Sequence, residues 1–209
     1  MKVKTFYCNP FRECTYILSA ENGESAIIDC GAINEQEWSR IYDYITTTGL
    51  QLKYHLLTHA HLDHCFGCYF VKRDFNLLPT LHEADRKLYE HLNEQVSMFG
   101  VETEYPFLAD FLPLDTIKDI NLSELTIQVI LTPGHTKGGV SYKVTDGERE
   151  ILFSGDTMFY GGFGRTDLPG GNYIELLDSL KRLKLLPEKT IVYPGHGIAT
   201  TIGKENHSN

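Results

Sequence analysis

Apolar and polar residues alternate in short runs through the first part of the chain, and turn-forming residues separate the runs. The pattern predicts three β-strands, at residues 3–7, 16–18 and 25–28. The Asn22-Gly23 pair predicts a hairpin between the last two strands, because both residue types tolerate the positive φ angles of a tight turn. Apolar side chains then recur at helical spacing over residues 35–48, which predicts a helix that ends at Gly49.

Short apolar runs return after this helix and dominate the second half of the chain. They predict strands at residues 54–57, 126–131, 140–144, 150–153 and 190–193. Helical spacing predicts two more helices, at 83–92 and 173–185, and Asp146-Gly147 predicts another hairpin. This order of elements favours two β-sheets packed face to face, with the helices on the outside.

Residues 93–113 show no clear period and include one glycine and two prolines. The pattern predicts a long irregular segment. Two interpretations of it remain open, because such segments are often functional. One is a lid over a site, and the other is a surface loop anchored by its aromatic residues.

The chain length predicts a single domain that spans residues 1–209. The net charge of -9 comes from 19 Lys+Arg against 28 Asp+Glu, and this acidity disfavours a nucleic-acid partner. No run of about 20 apolar residues is present, so we expect no membrane partner. Five cysteines are an odd number in a chain too large to need disulfides, which favours a reducing compartment. We therefore expect a cytoplasmic protein, and its oligomeric state remains open.

Side chains of the kind that bind metals follow four of the predicted strands within a few residues. His59, His61, Asp63 and His64 follow the strand at 54–57. The strands at 126–131, 150–153 and 190–193 are followed by His135, Asp156 and His196, respectively. Loops at strand ends can converge on one rim, where rigid elements aim their side chains. Because imidazole and carboxylate groups are good Zn²⁺ ligands, the sequence predicts a metal site at this rim.

The number of these ligands is enough for two ions. One ion can take His59, His61 and His135, and a second can take Asp63, His64 and His196. Asp156 has two carboxylate oxygens and can bridge them, with the ions about 3.5–4 Å apart and a hydroxide between them. Asp63 and Asp156 are therefore the predicted catalytic residues. Two divalent ions are expected, most readily zinc, with iron or a mixed zinc and iron pair as the alternative.

Two further features lie close to the ligand segments. Cys65 and Cys68 form a CxxC pair, which is typical of redox or metal sites, but no second pair accompanies them. We therefore predict that both are small buried residues. Lys137 and Arg165 are the cations closest in sequence to the ligand loops, and either can anchor an anionic substrate. For Arg165 we favour a structural pair with Asp167.

The four ligand segments resemble the signatures of the metallo-β-lactamase superfamily. His-x-His-x-Asp-His, Pro-Gly-His-Thr, Ser-Gly-Asp-Thr and Pro-Gly-His-Gly occur here in that order, between about Cys14 and His196. The resemblance implies an α+β fold, the four-layer αββα sandwich, with the metal ions at one edge. It also implies that the seven residues named above are the ligands.

Within the superfamily the chain is most similar to the short type II glyoxalases, the hydroxyacylglutathione hydrolases. Residues 161–171 and 200–205 carry this similarity. Full-length type II glyoxalases have an additional C-terminal helical domain that binds glutathione, and we expect this chain to lack it. The resemblance therefore implies the reaction but does not specify the thiol.

Several functions are compatible with these residues. The leading hypothesis is hydrolysis of an acyl-thiol ester of the hydroxyacylglutathione type by a metal-bridging hydroxide. The first alternative is a persulfide dioxygenase with one iron on His59, His135 and Asp156, and a lactone or β-lactam hydrolase is the second. A binding module with an inert metal is disfavoured, because structural zinc sites usually close with four ligands.

Overall fold

The computed structural model describes residues 1–114 and 119–207, and two facing β-sheets form its centre. The first sheet has the strand order β1-β2-β3-β4-β5-β6. Its strands are β1 (Lys2–Cys8), β2 (Glu13–Ser19), β3 (Glu24–Ile28), β4 (Gln51–Leu56), β5 (Thr80–Leu81) and β6 (Leu112–Pro113).

The second sheet has the strand order β14-β13-β10-β9-β8-β7. Its strands are β7 (Asp119–Leu122), β8 (Leu125–Leu131), β9 (Val140–Thr145), β10 (Glu150–Gly155), β13 (Ile191–Pro194) and β14 (Thr200–Thr201). A small separate hairpin joins β11 (Met158–Phe159) to β12 (Gly162–Phe163).

Helices cover the outer face of each sheet. The helices are α1 (Glu35–Thr47), α2 (Leu62–Cys65), α3 (Cys68–Phe75), α4 (Arg86–Glu90), α5 (Leu92–Phe99), α6 (Tyr173–Leu183) and α7 (Ile202–His207). Trp38 of α1 and Phe70 of α3 pack in one hydrophobic cluster on the first sheet. Leu176 of α6 and Ile202 of α7 pack in another on the second sheet. The predicted four-layer αββα sandwich is confirmed.

The alternation of side chains along β2 shows how one strand serves two layers. Tyr16 and Leu18 point into the core between the sheets, where they meet residues of the second sheet such as Phe153. Ile17, between them in sequence, packs with the helices on the other face. A strand that is buried on both faces must be apolar at successive positions, which is why its sequence reads as one apolar run.

Two parallel strand pairs bring several strand ends to one edge of the sandwich. β3 and β4 are parallel because α1 crosses over between them, and β10 and β13 are parallel with α6 between them. Gly155 at the end of β10 pairs with Pro194 at the end of β13. The two sheets are joined near this edge, where the Val140 amide donates to the Thr58 carbonyl at 2.9 Å.

The predicted hairpins are confirmed, and one predicted helix is wrong in its extent. Gly23 and Gly147 have φ angles of 87° and 91° and lie between antiparallel strands. The helix expected at 83–92 is instead a 3₁₀ turn (Glu83–Asp85) followed by α4, and a break at His91 separates α4 from α5. Helix α5 occupies part of the segment expected to be irregular. The helix was not predicted because its inward face includes the polar Gln95, which interrupts the apolar helical pattern.

The rest of this segment is anchored by aromatic contacts, as the second of its two interpretations expected. The Phe107 ring stacks on Phe66 with centroids 5.8 Å apart. The Tyr105 ring lies 4.6 Å from that of Phe70 on α3. These side chains pack into the helical layer beside the first sheet.

We expect Leu18→Ala to lower the free energy of unfolding by about 3 kcal/mol, because Leu18 is fully buried between the sheets and its truncation leaves a cavity. Urea denaturation of the metal-free protein measures the change. Leu185→Ala is the matched control, since Leu185 is 86% exposed, and its effect is expected within about 0.5 kcal/mol. Equal effects of the two substitutions would contradict the assigned core.

Candidate metal centre

The first group of predicted ligands lies where β4 ends and α2 begins. His59 follows the strand, and His61 immediately precedes the first helical residue. The backbone becomes helical at Leu62. Asp63 and His64 consequently project from the first turn of a helix, which directs both side chains toward the strand-end loops.

The other predicted ligands come from the second sheet. His135 lies in the connection between β8 and β9, Asp156 directly follows β10, and His196 follows β13. The β10–β13 pairing sets the last two side by side. Gly195 makes this approach possible, since a Cβ atom there would lie 2.1 Å from Asp156 Oδ1. Any larger residue at that position would displace the carboxylate.

The structure brings all seven predicted residues into one cluster. Within each of three groups the ligand atoms lie within 4.8 Å of one another, and the groups are His59-His61-His135, His59-His64-Asp156 and Asp63-His64-His196. The Asp156 carboxylate reaches both ends of the cluster. One of its oxygens lies 3.4 Å from His135 Nε2, and the other lies 3.4 Å from His64 Nε2.

Outer hydrogen bonds orient three of the imidazole rings. His135 Nδ1 donates to the Arg165 carbonyl at 2.7 Å, and His196 Nδ1 donates to the Phe11 carbonyl at 3.1 Å. His64 Nδ1 donates to an Asp29 carboxylate oxygen at 2.9 Å. With the Nδ1 proton committed outward, each ring turns the lone pair of Nε2 into the cluster.

The ring of His59 is oriented through an intermediate hydroxyl. Thr58 Oγ1 lies 2.8 Å from Asp29, a carboxylate that can only accept when ionised. The hydroxyl therefore donates to Asp29 and accepts from His59 Nδ1 at 3.0 Å. His59 Nε2 then faces His61 Nδ1 at 3.1 Å, inside the cluster.

Several buried polar atoms in the cluster lack a hydrogen-bond partner. These are the Nε2 atoms of His61, His64 and His135, and Oδ1 of Asp156. Leaving buried polar groups unpaired costs about 1–3 kcal/mol each, so such atoms require an explanation. A cation explains them, because every orphaned imidazole nitrogen and carboxylate oxygen is a metal-ligand atom. The residues present therefore fit metal ions.

The electrostatics keep His61 neutral and Asp156 ionised, which are the forms that bind cations, whereas they favour a proton on His64. Burial and the adjacent His135 ring lower the pKa of His61 to about 3, which keeps its imidazole neutral. Burial acts to raise the pKa of Asp156, but His64 and His135 lower it well below its usual value. Burial acts to lower the pKa of His64, yet Asp63 and Asp29 raise it well above its usual value. In the absence of a cation, a proton on His64 partly replaces it.

Asp29 is a site residue that the sequence analysis missed. Besides His64, its carboxylate accepts from the Thr58 amide at 2.7 Å and the Thr58 hydroxyl at 2.8 Å. It thus orients two rings of the cluster at once. The signal was present in the sequence, because Asp29 directly follows a predicted strand in the same way as Asp156.

Asp85 and Gln95 were also missed, and they tie the ligand loops together. Asp85 accepts from the Ala60 amide at 3.1 Å, from the Thr136 hydroxyl at 2.8 Å and from the Gly138 amide at 2.6 Å. Gln95 accepts from the Leu62 amide at 3.0 Å and donates to the Ala60 carbonyl at 3.1 Å. No local pattern marks these residues, because their partners lie far away in sequence.

The remaining candidates take structural positions. Arg165 donates to both Asp167 oxygens at 2.6 and 2.7 Å, in agreement with the pair predicted for it. Cys65 and Cys68 are buried and unpaired as thiols, as predicted. Cys65 ends α2 and Cys68 begins α3, so the CxxC spans the step between two helices.

A facing pair of sheets between helical layers, with histidines and aspartates at one edge, defines a class of metal-dependent hydrolases. A profile of the metallo-beta-lactamase superfamily matches residues 10–196. The chain belongs to this superfamily, whose members bind metal ions and act on small-molecule substrates.

Similar proteins match along nearly their whole length. The hydroxyacylglutathione hydrolase GloC of Haemophilus influenzae is 34% identical over 212 residues, which cover 100% of this chain and 97% of that protein. The crystal structure of BLEG-1 B3 metallo-beta-lactamase has a TM-score of 0.85 at 34% identity, covering 99% of this chain and 98% of that one. That of TTHA1623 in a di-iron-bound form has a TM-score of 0.84 at 35% identity, with the same coverage.

Within residues 1–114 and 119–207, each helix is too short or too polar to cross a lipid bilayer.

We expect Asp85→Asn to weaken zinc binding about 10- to 100-fold, although Asp85 belongs to none of the three ligand groups. An amide offers one acceptor oxygen, so one of the two ligand loops would face an NH₂ donor instead of an acceptor. Competition with a chromophoric chelator measures the affinity. Asp178→Asn, at an exposed carboxylate on α6, is the control. An unchanged zinc affinity in Asp85→Asn would show that the hydrogen bonds of Asp85 do not hold the ligand loops in place.

Proposed function

We propose that this protein is a metal-dependent hydrolase that cleaves a thioester of the hydroxyacylglutathione type. The observation that carries the proposal is the cluster of inward-facing imidazole and carboxylate atoms that lack partners. The name of the similar protein from Haemophilus influenzae supports the choice of substrate.

The proposed ligands are the seven residues of the cluster. One ion would take His59, His61 and His135, a second would take Asp63, His64 and His196, and Asp156 would bridge them. The distances from Asp156 to His135 and His64 support the bridge. Zinc is the metal we favour for imidazole-rich sites. The di-iron-bound form of TTHA1623 supports iron, or a mixed pair, as the alternative.

When bound, two divalent ions supply a hydroxide nucleophile near neutral pH and positive charge for the developing oxyanion and the leaving thiolate. The protein's part is to hold the ligands in place before substrate arrives. Asp63 and Asp156 would reduce the charge of a centre with two divalent ions from +4 to +2, and the outer hydrogen bonds prevent the rings from rotating. In the overall reaction water adds to the carbonyl, the carbon–sulfur bond breaks, and an acid and a thiol are released.

We also propose that residues 1–209 act as one domain in the cytoplasm. One hydrophobic cluster that contains strands of both sheets supports the single domain. Five buried cysteines without a disulfide support a reducing compartment.

Two other reactions have support from particular observations. His59, His135 and Asp156 lie together, with the two rings 4.9 Å apart, and could hold the single iron of a persulfide dioxygenase. The similarity to BLEG-1, which is described as a B3 metallo-beta-lactamase, supports a β-lactam hydrolase. Metal content and substrate range distinguish these from the thioesterase.

We expect the purified protein to contain about two zinc, or zinc and iron, per chain and to cleave lactoylglutathione. Elemental analysis and the loss of thioester absorbance measure the two quantities. Treatment with a chelator is expected to abolish cleavage, and added zinc to restore it. One iron per chain, no cleavage, and oxygen uptake with a persulfide would assign the dioxygenase instead.

We expect Asp156→Asn to reduce the metal content to one ion or fewer per chain and to lower kcat at least about 100-fold. The reason is that an amide cannot supply two anionic oxygens to two cations. Elemental analysis and steady-state kinetics test this, and circular dichroism checks that the fold is retained. Asp43→Asn, at an exposed position of α1, serves as the control. Full metal content with full activity in Asp156→Asn would refute the bridging role.

A further inference from the structure

A tyrosine of the second sheet reaches across the interface between the sheets to the loop that begins the cluster. Tyr142, on β9, donates to the carbonyl of Leu57 at 2.6 Å. Two residues before it, the Val140 amide donates to the next carbonyl, that of Thr58, at 2.9 Å. Strand β9 therefore holds two successive carbonyls just after the end of β4, and His59 is the residue that follows them.

A tyrosine of the first sheet makes the same kind of contact in the opposite direction. Tyr16, on β2, donates to the carbonyl of Pro194 at 2.6 Å. Two residues before it, the Cys14 amide donates to the next carbonyl, that of Gly195, at 2.8 Å. His196 is the residue that follows these two carbonyls. Each sheet thus holds the backbone that directly precedes a cluster histidine of the other sheet.

Both phenols are rigidly placed and remain hydrogen-bond donors. Tyr16 is 3% exposed and Tyr142 is fully buried. The Tyr16 ring packs between aromatic neighbours, with its centroid 5.1 Å from that of Phe153 and 5.5 Å from that of Tyr193. Burial raises the pKa of both phenols well above its usual value, so each keeps its proton. A shift of either strand end would separate a buried hydroxyl from a buried carbonyl, which is costly for both groups.

We propose that Tyr16 and Tyr142 are positioning residues of the metal centre, which set the separation between the ligands of the first sheet and those of the second. Four members of the cluster come from the first sheet and three from the second, so an ion bound by both groups requires a fixed distance between the sheets at this edge. The outer hydrogen bonds of the imidazoles orient single rings, whereas the two phenols act on the backbone that carries them. The inference rests on the proposed ligand set and does not depend on the substrate.

The first test is zinc binding by variants that lose only a phenol oxygen. Tyr16→Phe is expected to release His196, which belongs to one of the two proposed ion sites. We therefore expect one of two zinc-binding steps to weaken about tenfold and the other to stay within about twofold of the wild type. Tyr142→Phe is expected to release the loop that supplies ligands to both sites, so both steps should weaken. Competition with a chromophoric chelator measures the two affinities.

Tyr54→Phe is the matched control for both variants. The Tyr54 hydroxyl also crosses between the sheets and donates to the Asn121 carbonyl at 3.3 Å. Asn121 lies on β7, which no cluster residue directly follows, so we expect the zinc affinities of the wild type in Tyr54→Phe. Urea denaturation of the metal-free variants measures any loss of stability separately.

The second test measures ligand geometry instead of affinity. Cobalt(II) bound in place of zinc has visible absorption bands whose intensity depends on its coordination geometry. At saturating cobalt we expect these bands to change in Tyr16→Phe and Tyr142→Phe and to match the wild type in Tyr54→Phe. A tyrosine that only stabilised the fold would lower stability without changing the spectrum of the saturated protein.

The outcomes separate the positioning role from the proposed function. Unchanged zinc affinities and cobalt spectra in Tyr16→Phe and Tyr142→Phe would overturn the positioning role and leave the ligand set intact. Equal weakening of both steps by Tyr16→Phe, or the same weakening in Tyr54→Phe, would also overturn it. A wild type that binds no zinc would refute the ligand set and the positioning role together. A wild type that binds zinc but cleaves no thioester would refute the proposed reaction alone, and the zinc and cobalt measurements would still decide the positioning role.

Discussion

The arrangement of this fold depends on imidazole lone pairs that face one another in a buried recess. Lone pairs that face one another with neither water nor a cation between them repel each other. The surrounding protein therefore has to hold the imidazole rings in this orientation. It does so by using the opposite nitrogen of each ring. The Arg165 carbonyl, the Phe11 carbonyl and Asp29 each accept one Nδ1 proton, so that ring orientation is determined by residues outside the cluster.

Two buried carboxylates hold the cluster in place, one by orienting the imidazole rings and the other by connecting the loops that carry them. Asp29 orients the rings directly and also accepts from the backbone at Thr58. Asp85 holds no ring but connects the loop of the first sheet to that of the second. Burial raises the pKa of Asp85, and its three donors offset that cost. Asp29 and Asp85 accept hydrogen bonds from other protein groups, whereas Oδ1 of Asp156 has no hydrogen-bond partner.

Sequence reasoning succeeded where the signal is local and failed where it is not. Eight of the strands (β1–β4, β8–β10 and β13), the two hairpins and the seven clustered residues were predictable, because apolar runs, Asn-Gly or Asp-Gly pairs and ligand-type residues at strand ends are all visible within short windows. The start of α2 at Leu62 was not, since a helix of one turn has too few residues to show a period. Helix α5 was missed because Gln95 occupies a buried position for the sake of distant backbone groups. The ligand role of each clustered residue remains a prediction.

The division of the cluster between the two sheets has a consequence for the life of the protein in the cell. His59, His61, Asp63 and His64 come from the first sheet, and the other three members come from the second. An ion bound by both groups would fasten the sheets together, so its binding free energy would add to the stability of the whole sandwich. Metal supply would then set the lifetime of the chain as well as its activity. Molecules made during metal starvation would open more often and be removed first by proteases, which matches the amount of protein to the metal available to it.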